Sequence, residues 1–275
     1  MGTIRRKMLL SLGLLLGGFT VPVRADMAVL RVAVLENSPP LSYRDAAGKL
    51  TGFSPAVAQA LCDELAMRCE FRATRLEYLI DDLAAGHFDI AAVGLLNTPE
   101  RSRKVLFTGP VYRSVALWIA KPGVEPGQAG VRVSVFKGSV HESYARERQW
   151  DVVAAQDEHE MIEQLSAGVA RAAVSPLMTS IGLQQNPRFM RLGMKGTLLQ
   201  VPEMEGNACF AINPRRADLK EPLDKALAKI KRNGTYDRVR VREPFLSRNS
   251  TSASVMLPSQ AGPTGFLRQS GSTPG

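Results

Sequence analysis

Residues 30–35 (LRVAVL), 54–65 (SPAVAQALCDEL) and 88–93 (FDIAAV) read in order as strand, helix and strand. The outer two are short apolar runs bounded by turn residues, which suits buried strands. In the middle segment Ser54 is expected as N-cap and Pro55 as the first helical residue. Val57, Leu61 and Leu65 behind them recur at helical spacing and give that helix one apolar face. Leu76, Leu79, Ile80 and Leu83 predict a second helix over 76–85, stopped by Gly86. Pro39-Pro40 and Gly48 mark turns between the first strand and the first helix.

Outward from this unit the alternation persists. Strands are expected over 115–120, 131–136, 152–155, 170–174 and 208–212. Ser139 and Glu142 have capping-box spacing at a helix start. Further helices are expected over 158–167, ending at Gly168, and over 219–232, stopped by Asn233-Gly234. Strands alternating with helices imply an α/β fold whose parallel sheets carry helices on both faces. Residues 121–127 (KPGVEPG) and 199–206 interrupt the pattern. Two such crossings predict two lobes, one built from 26–117 and 204–246, the other from 118–203. A ligand cleft is then expected between them, at the carboxyl ends of strands.

The composition narrows the function classes. Of 275 residues, 45% are hydrophobic, enough to fill a core. The formal charge of +9 first suggests nucleic acid or membrane. Arg5, Arg6 and Lys7, the apolar stretch 8–21 and Val23-Arg24-Ala25 read, however, as a signal peptide cleaved after Ala25. Without those three residues and Arg24 the charge falls to +5, and without Arg248 and Arg268 of the tail to +3. That remainder forms no basic block, so no nucleic-acid partner is expected. Residues 247–275 are rich in Ser, Thr, Gly and Pro and are expected to be a disordered tail. Three Cys and three His show no ligand spacing, so neither a metal nor another cofactor is predicted.

Several segments, taken in order, carry a family likeness: 30–34 with Pro39-Pro40 and Gly48-Lys49-Leu50-Thr51-Gly52-Phe53; Phe88-Asp89-Ile90 with Asn97-Thr98-Pro99-Glu100-Arg101; FTGPVY at 107–112; Lys137-Gly138-Ser139; and KIKRNGTY at 229–236. Together they resemble family 3 of the bacterial extracellular solute-binding proteins, over about residues 30–245. The resemblance implies a type II periplasmic binding fold with two hinge crossings. It also implies a monomer in the periplasm that captures a small carboxylate-bearing solute, an amino acid or related organic acid, for an ABC-type membrane permease. Such members often carry a disulfide at the spacing of Cys62 and Cys69, so these two are expected to pair and Cys209 to stay unpaired.

The resemblance also nominates site residues. Arg101, in the first turn of a helix opened by Thr98, matches the arginine that holds the ligand's α-carboxylate, and a guanidinium there can grip a carboxylate with two parallel bonds. Gly138 and Ser139 match the second-lobe turn that completes this site, although Ser139 can equally serve only as a helix cap. Gly94 and Leu96 stand where the family often has hydroxyls, and Ser38 stands where it has a stacking aromatic. Pro176 falls where the family places an Asp for the ligand's α-ammonium, and Arg171 replaces another Asp of that strand. A buried ammonium without a counter-charge is costly, so the ligand is expected to lack one or to have it recognised elsewhere. Glu36, Asn37, Tyr43, Leu76 and Tyr112 are further candidates for the cleft wall.

The leading reading is therefore a binding protein, not an enzyme. The alternatives are a periplasmic dehydratase of the cyclohexadienyl type on the same fold, with Glu36, Glu142 or Glu205 as its acid, and a ligand-binding partner of a sensor or an oxidoreductase. No G-x-S-x-G or H-E-x-x-H motif is present in the sequence.

Overall fold

The computed structural model describes residues 27–242; the signal-peptide and tail assignments lie outside the described residues. The chain opens with β1 (Val29–Leu35), the hairpin β2 (Tyr43–Arg44) and β3 (Leu50–Thr51), then α1 (Phe53–Glu64), β4 (Arg68–Thr74) and α2 (Leu76–Ala85). It continues through β5 (Ile90–Leu96), the one-turn α3 (Pro99–Ser102) and β6 (Leu106–Ser114). Next come β7 (Ala116–Ala120), β8 (Arg132–Phe136), α4 (Val140–Glu147), β9 (Asp151–Ala155), α5 (Glu158–Ser166) and β10 (Ala172–Pro176). Then follow α6 (Leu177–Gln185), α7 (Pro187–Met190), β11 (Lys195–Leu199), β12 (Gly206–Ile212), α8 (Lys220–Arg232) and α9 (Thr235–Arg242).

Two five-stranded sheets result, ordered β4-β1-β5-β12-β6 and β11-β7-β10-β8-β9. β1 is parallel to β4 and β5, and β8 is parallel to β9 and β10. The sheets are not wholly parallel, as the alternation had implied. β12 runs antiparallel to β5 and β6, and β7 runs antiparallel to β10 and β11. The reason is connectivity: a crossover helix delivers a parallel strand. β7 is instead joined to β8 by a segment without a helix, and β12 enters from the other sheet after a 3₁₀ turn at Pro202–Met204.

Each sheet is covered on both faces. Leu30, Val32 and Val34 of β1 pack with Val57 and Leu61 of α1 and with Leu223 and Leu227 of α8. Ala33, with Ala91 and Val93 of β5, faces Leu79 and Leu83 of α2. In the second sheet Val133 and Val135 pack with Ala145 of α4, and Ile119 and Ala173 pack with Met161, Ile162 and Leu165 of α5. Among the described residues no helix is long and apolar enough to cross a membrane.

One cap differs from expectation. α1 starts at Phe53 with Gly52 as N-cap, and Ser54 is a buried residue of its first turn. Backbone carbonyls explain this, because Pro40 and Leu41 accept from the amides of Phe53 and Ser54. The helix start therefore needs no side-chain cap, and the Ser54 hydroxyl has no hydrogen-bond partner.

Cys62 on α1 and Cys69 on β4 form a disulfide, and Cys209 is a buried thiol. Closing so short a loop, seven residues apart, restricts the unfolded chain by about 2.5 kcal/mol. Reduction is expected to lower the urea midpoint by a corresponding amount. A midpoint that does not move on reduction would show that the bridge adds no stability.

Candidate functional site

A cavity of about 260 Å³ lies between elements of the two sheets. From the first sheet it takes the segment after β1, the start of α2, the end of β5, Arg101 and Tyr112. From the second it takes the start of α4, Asp157 at the N-cap of α5, and Pro176 with Thr179 at the junction of β10 and α6. The two sides touch around it. Asn37 Nδ2 donates to Asp157 Oδ2 at 3.1 Å, and Lys137 pairs with Glu77 at 2.5 Å. Gly138, at φ +77°, rests on the backbone of Glu77, where an added Cβ would come within 2.7 Å of Cα. Only glycine fits that approach.

Arg101 is positioned from both ends. Thr98 Oγ1 caps α3 by accepting from the Arg101 amide at 3.3 Å. The guanidinium donates from Nη1 to the Leu96 carbonyl at 3.2 Å and from Nη2 to the Gly138 carbonyl at 3.1 Å. It is 9% exposed, and among the described residues no carboxylate pairs with it. Burial lowers its pKa, against a small opposing effect of Glu100, but arginine keeps its proton in proteins. A buried cation held by two neutral carbonyls is a site that an anion stabilises.

Next to it stands His141, 4% exposed, with neither ring nitrogen hydrogen-bonded. Burial, and then the Arg101 charge, push its pKa down to about 4, so the imidazole is neutral at pH 7. Ser139 accepts from the Glu142 amide at 3.1 Å, as a helix cap does. The return arm of the box is displaced by one residue: Glu142 Oε2 accepts from the Gly138 amide at 2.7 Å. Asp157 brings a carboxylate to the opposite wall; its Oδ1 caps Glu160 N at 2.9 Å.

Of the residues nominated from sequence, Ser38, Leu76, Gly94, Leu96, Arg101, Ser139 and Pro176 all line this cavity. Thr98 and Gly138 line the adjoining groove instead. Glu36, Asn37 and Tyr112 are on the cavity wall, whereas Tyr43 pairs with Thr51 in the hairpin and is not. Glu36 is paired with Arg44 at 2.8 Å, Glu142 with Arg146 at 2.8 Å and Glu205 with Arg113 at 3.4 Å. Sequence reasoning missed His141 and Asp157. Asp157 carried a readable signal, an acidic residue immediately before a helical run. His141 carried none beyond its place in a helix start.

Comparison with known proteins identifies the family. The family model "Bacterial extracellular solute-binding proteins, family 3" matches residues 30–242. The putative ABC transporter arginine-binding protein 2 of Escherichia coli is 26% identical over 82% of this chain and 94% of its own length. The histidine-binding periplasmic protein of Salmonella typhimurium is 27% identical over 85% of this chain and 95% of its own. Among solved structures, an ancestral arginine-binding protein bound to glutamine superposes with a TM-score of 0.70 at 26% identity, over 79% of this chain and 98% of that one.

Proposed function

This chain belongs to the bacterial extracellular solute-binding proteins, family 3, and on that premise we propose that it captures an amino acid in its cleft for an ABC-type permease. The observation that carries the reading is Arg101, a buried guanidinium in the cavity that no carboxylate among the described residues pairs with. A ligand carboxylate supplies the missing charge through a two-pronged contact. Relatives named for arginine and histidine favour an amino acid over a bare organic acid.

The amine is then met away from Pro176, which offers it neither charge nor a side-chain acceptor. Asp157, on the wall of the same cavity, offers both. The lobes are 26–117 with 204–246 and 118–203, and they close over the ligand as two preformed halves. The mature chain acts as a monomer in the periplasm, a reading supported by relatives named as periplasmic proteins and by the signal-like N-terminus. The acids considered for a dehydratase are each paired with an arginine, so the reading is capture without chemistry.

Calorimetry on matched acids with and without the α-amino group tests this. The amino acid is expected to bind more tightly by about 1.5–3 kcal/mol, the worth of a hydrogen bond to a charged group. Asp157→Asn, which can still cap α5, should erase the difference. Equal binding of both acids by the native protein would return the ligand to the simple carboxylates.

A further inference from the structure

The cavity holds more hydrogen-bonding capacity than a carboxylate and an amine consume. Both nitrogens of His141 are buried and unpartnered. Leaving such groups unsatisfied is costly in a native structure, and a ligand or water must complete them. The imidazole is neutral, so it offers one N–H donor and one nitrogen acceptor. Tyr112 adds a second neutral group. Its ring is buried and packs edge-on to Phe53 at 5.9 Å, and burial keeps its phenol protonated. The hydroxyl occupies the space over β5 that a side chain on residue 94 would need: a Cβ there would lie 2.0 Å from Tyr112 Oη. Glycine inside a strand commonly marks such a close approach. A hydroxyl from β6 therefore stands where residue 94 has no side chain to offer.

The fixed charges of the wall are otherwise accounted for. Arg75 faces Glu77 at 3.7 Å, and Glu36 is paired with Arg44. Among the described residues of the wall, one open cation, Arg101, and one carboxylate without a cationic partner, Asp157, match a zwitterion of no net charge. A second positive charge beside His141 would face the same Arg101 field that opposes protonation of the imidazole.

We infer that the ligand is a zwitterionic amino acid with an uncharged, hydrogen-bonding side chain, an amide or a hydroxyl, read by His141 with Tyr112, and not a basic amino acid. This rests on the amino-acid reading above and narrows it.

The experiment is titration calorimetry of the full mature chain with glutamine, asparagine, serine, alanine, lysine and arginine. One of the first three is expected to bind best, with arginine and lysine at least about tenfold weaker. His141→Leu should weaken the best ligand by about tenfold or more, and by far more than it weakens alanine, because it removes hydrogen bonds that the alanine side chain does not make. His141→Gln keeps a donor and an acceptor and should recover most of the loss. Preference for arginine or lysine, or an unchanged affinity in His141→Leu, overturns the inference while leaving amino-acid capture intact. Failure of all six to bind overturns both.

Discussion

Arg101→Ala is expected to cost about 2–5 kcal/mol of ligand binding, roughly thirtyfold to a few thousandfold in affinity. The size follows from what the substitution leaves behind: a carboxylate taken out of water with no cation to meet it. Arg101→Lys should recover little, because an ammonium cannot make two parallel contacts to a carboxylate while also holding the carbonyls of Leu96 and Gly138. The free protein should behave differently from the complex. Its guanidinium is buried, and among the described residues no carboxylate pairs with it, so removing that charge is not expected to lower the melting temperature of the unliganded form. Calorimetry with the best ligand, paired with melting of the free variants, separates the two effects. Unchanged affinity in Arg101→Ala would remove the carboxylate contact on which the functional reading stands. A variant that loses binding only because it has unfolded would reveal itself in the melt.

The parts of this molecule legible in the sequence are those whose cause is local. Val57 and Leu61 could be placed on one face of α1 because helical spacing is a property of neighbours in the chain, and Gly86 could be read as a stop because its left-handed backbone is a local need. The antiparallel entry of β7 and β12 was not legible, because it depends on where the chain comes from in space. Ser54 shows the same limit on a smaller scale. Its spacing to Pro55 is that of a cap, but two carbonyls from a distant turn had already taken the amides. At the site, Arg101 could be found because its motif is contiguous. Tyr112 was a candidate for the cleft wall, but the space that Gly94 leaves for its hydroxyl lies with a residue of another strand, and His141 became informative only through its burial beside Arg101.

Glu158 leads to the second large effect, in the pH dependence of stability. It begins α5, is 5% exposed, and its Oε2 has no hydrogen-bond partner. Its carboxyl lies beside Gly182 of α6, where an added Cβ would meet Oε2 at 2.9 Å and the Pro39 carbonyl at 2.4 Å. Its amide faces the Asn37 carbonyl at 3.5 Å. Burial, and then the neighbouring charge of Asp157, raise its pKa from the ordinary 4.5 to about 8. Between those values the folded chain keeps a proton that the unfolded chain has lost, so stability falls as pH rises. The stabilisation is fully present below pH 4.5 and lost by about pH 8, at about 1.4 kcal/mol per unit. At pH 7 the cost is roughly 3 kcal/mol, and Glu158→Gln, which mimics the protonated acid, should be more stable than the native chain by about that amount. Near pH 4.5 the two should unfold together. Urea midpoints of both proteins at pH 4.5, 7 and 8.5 make the comparison, and a difference that does not change with pH would mean that Glu158 titrates as an ordinary surface acid.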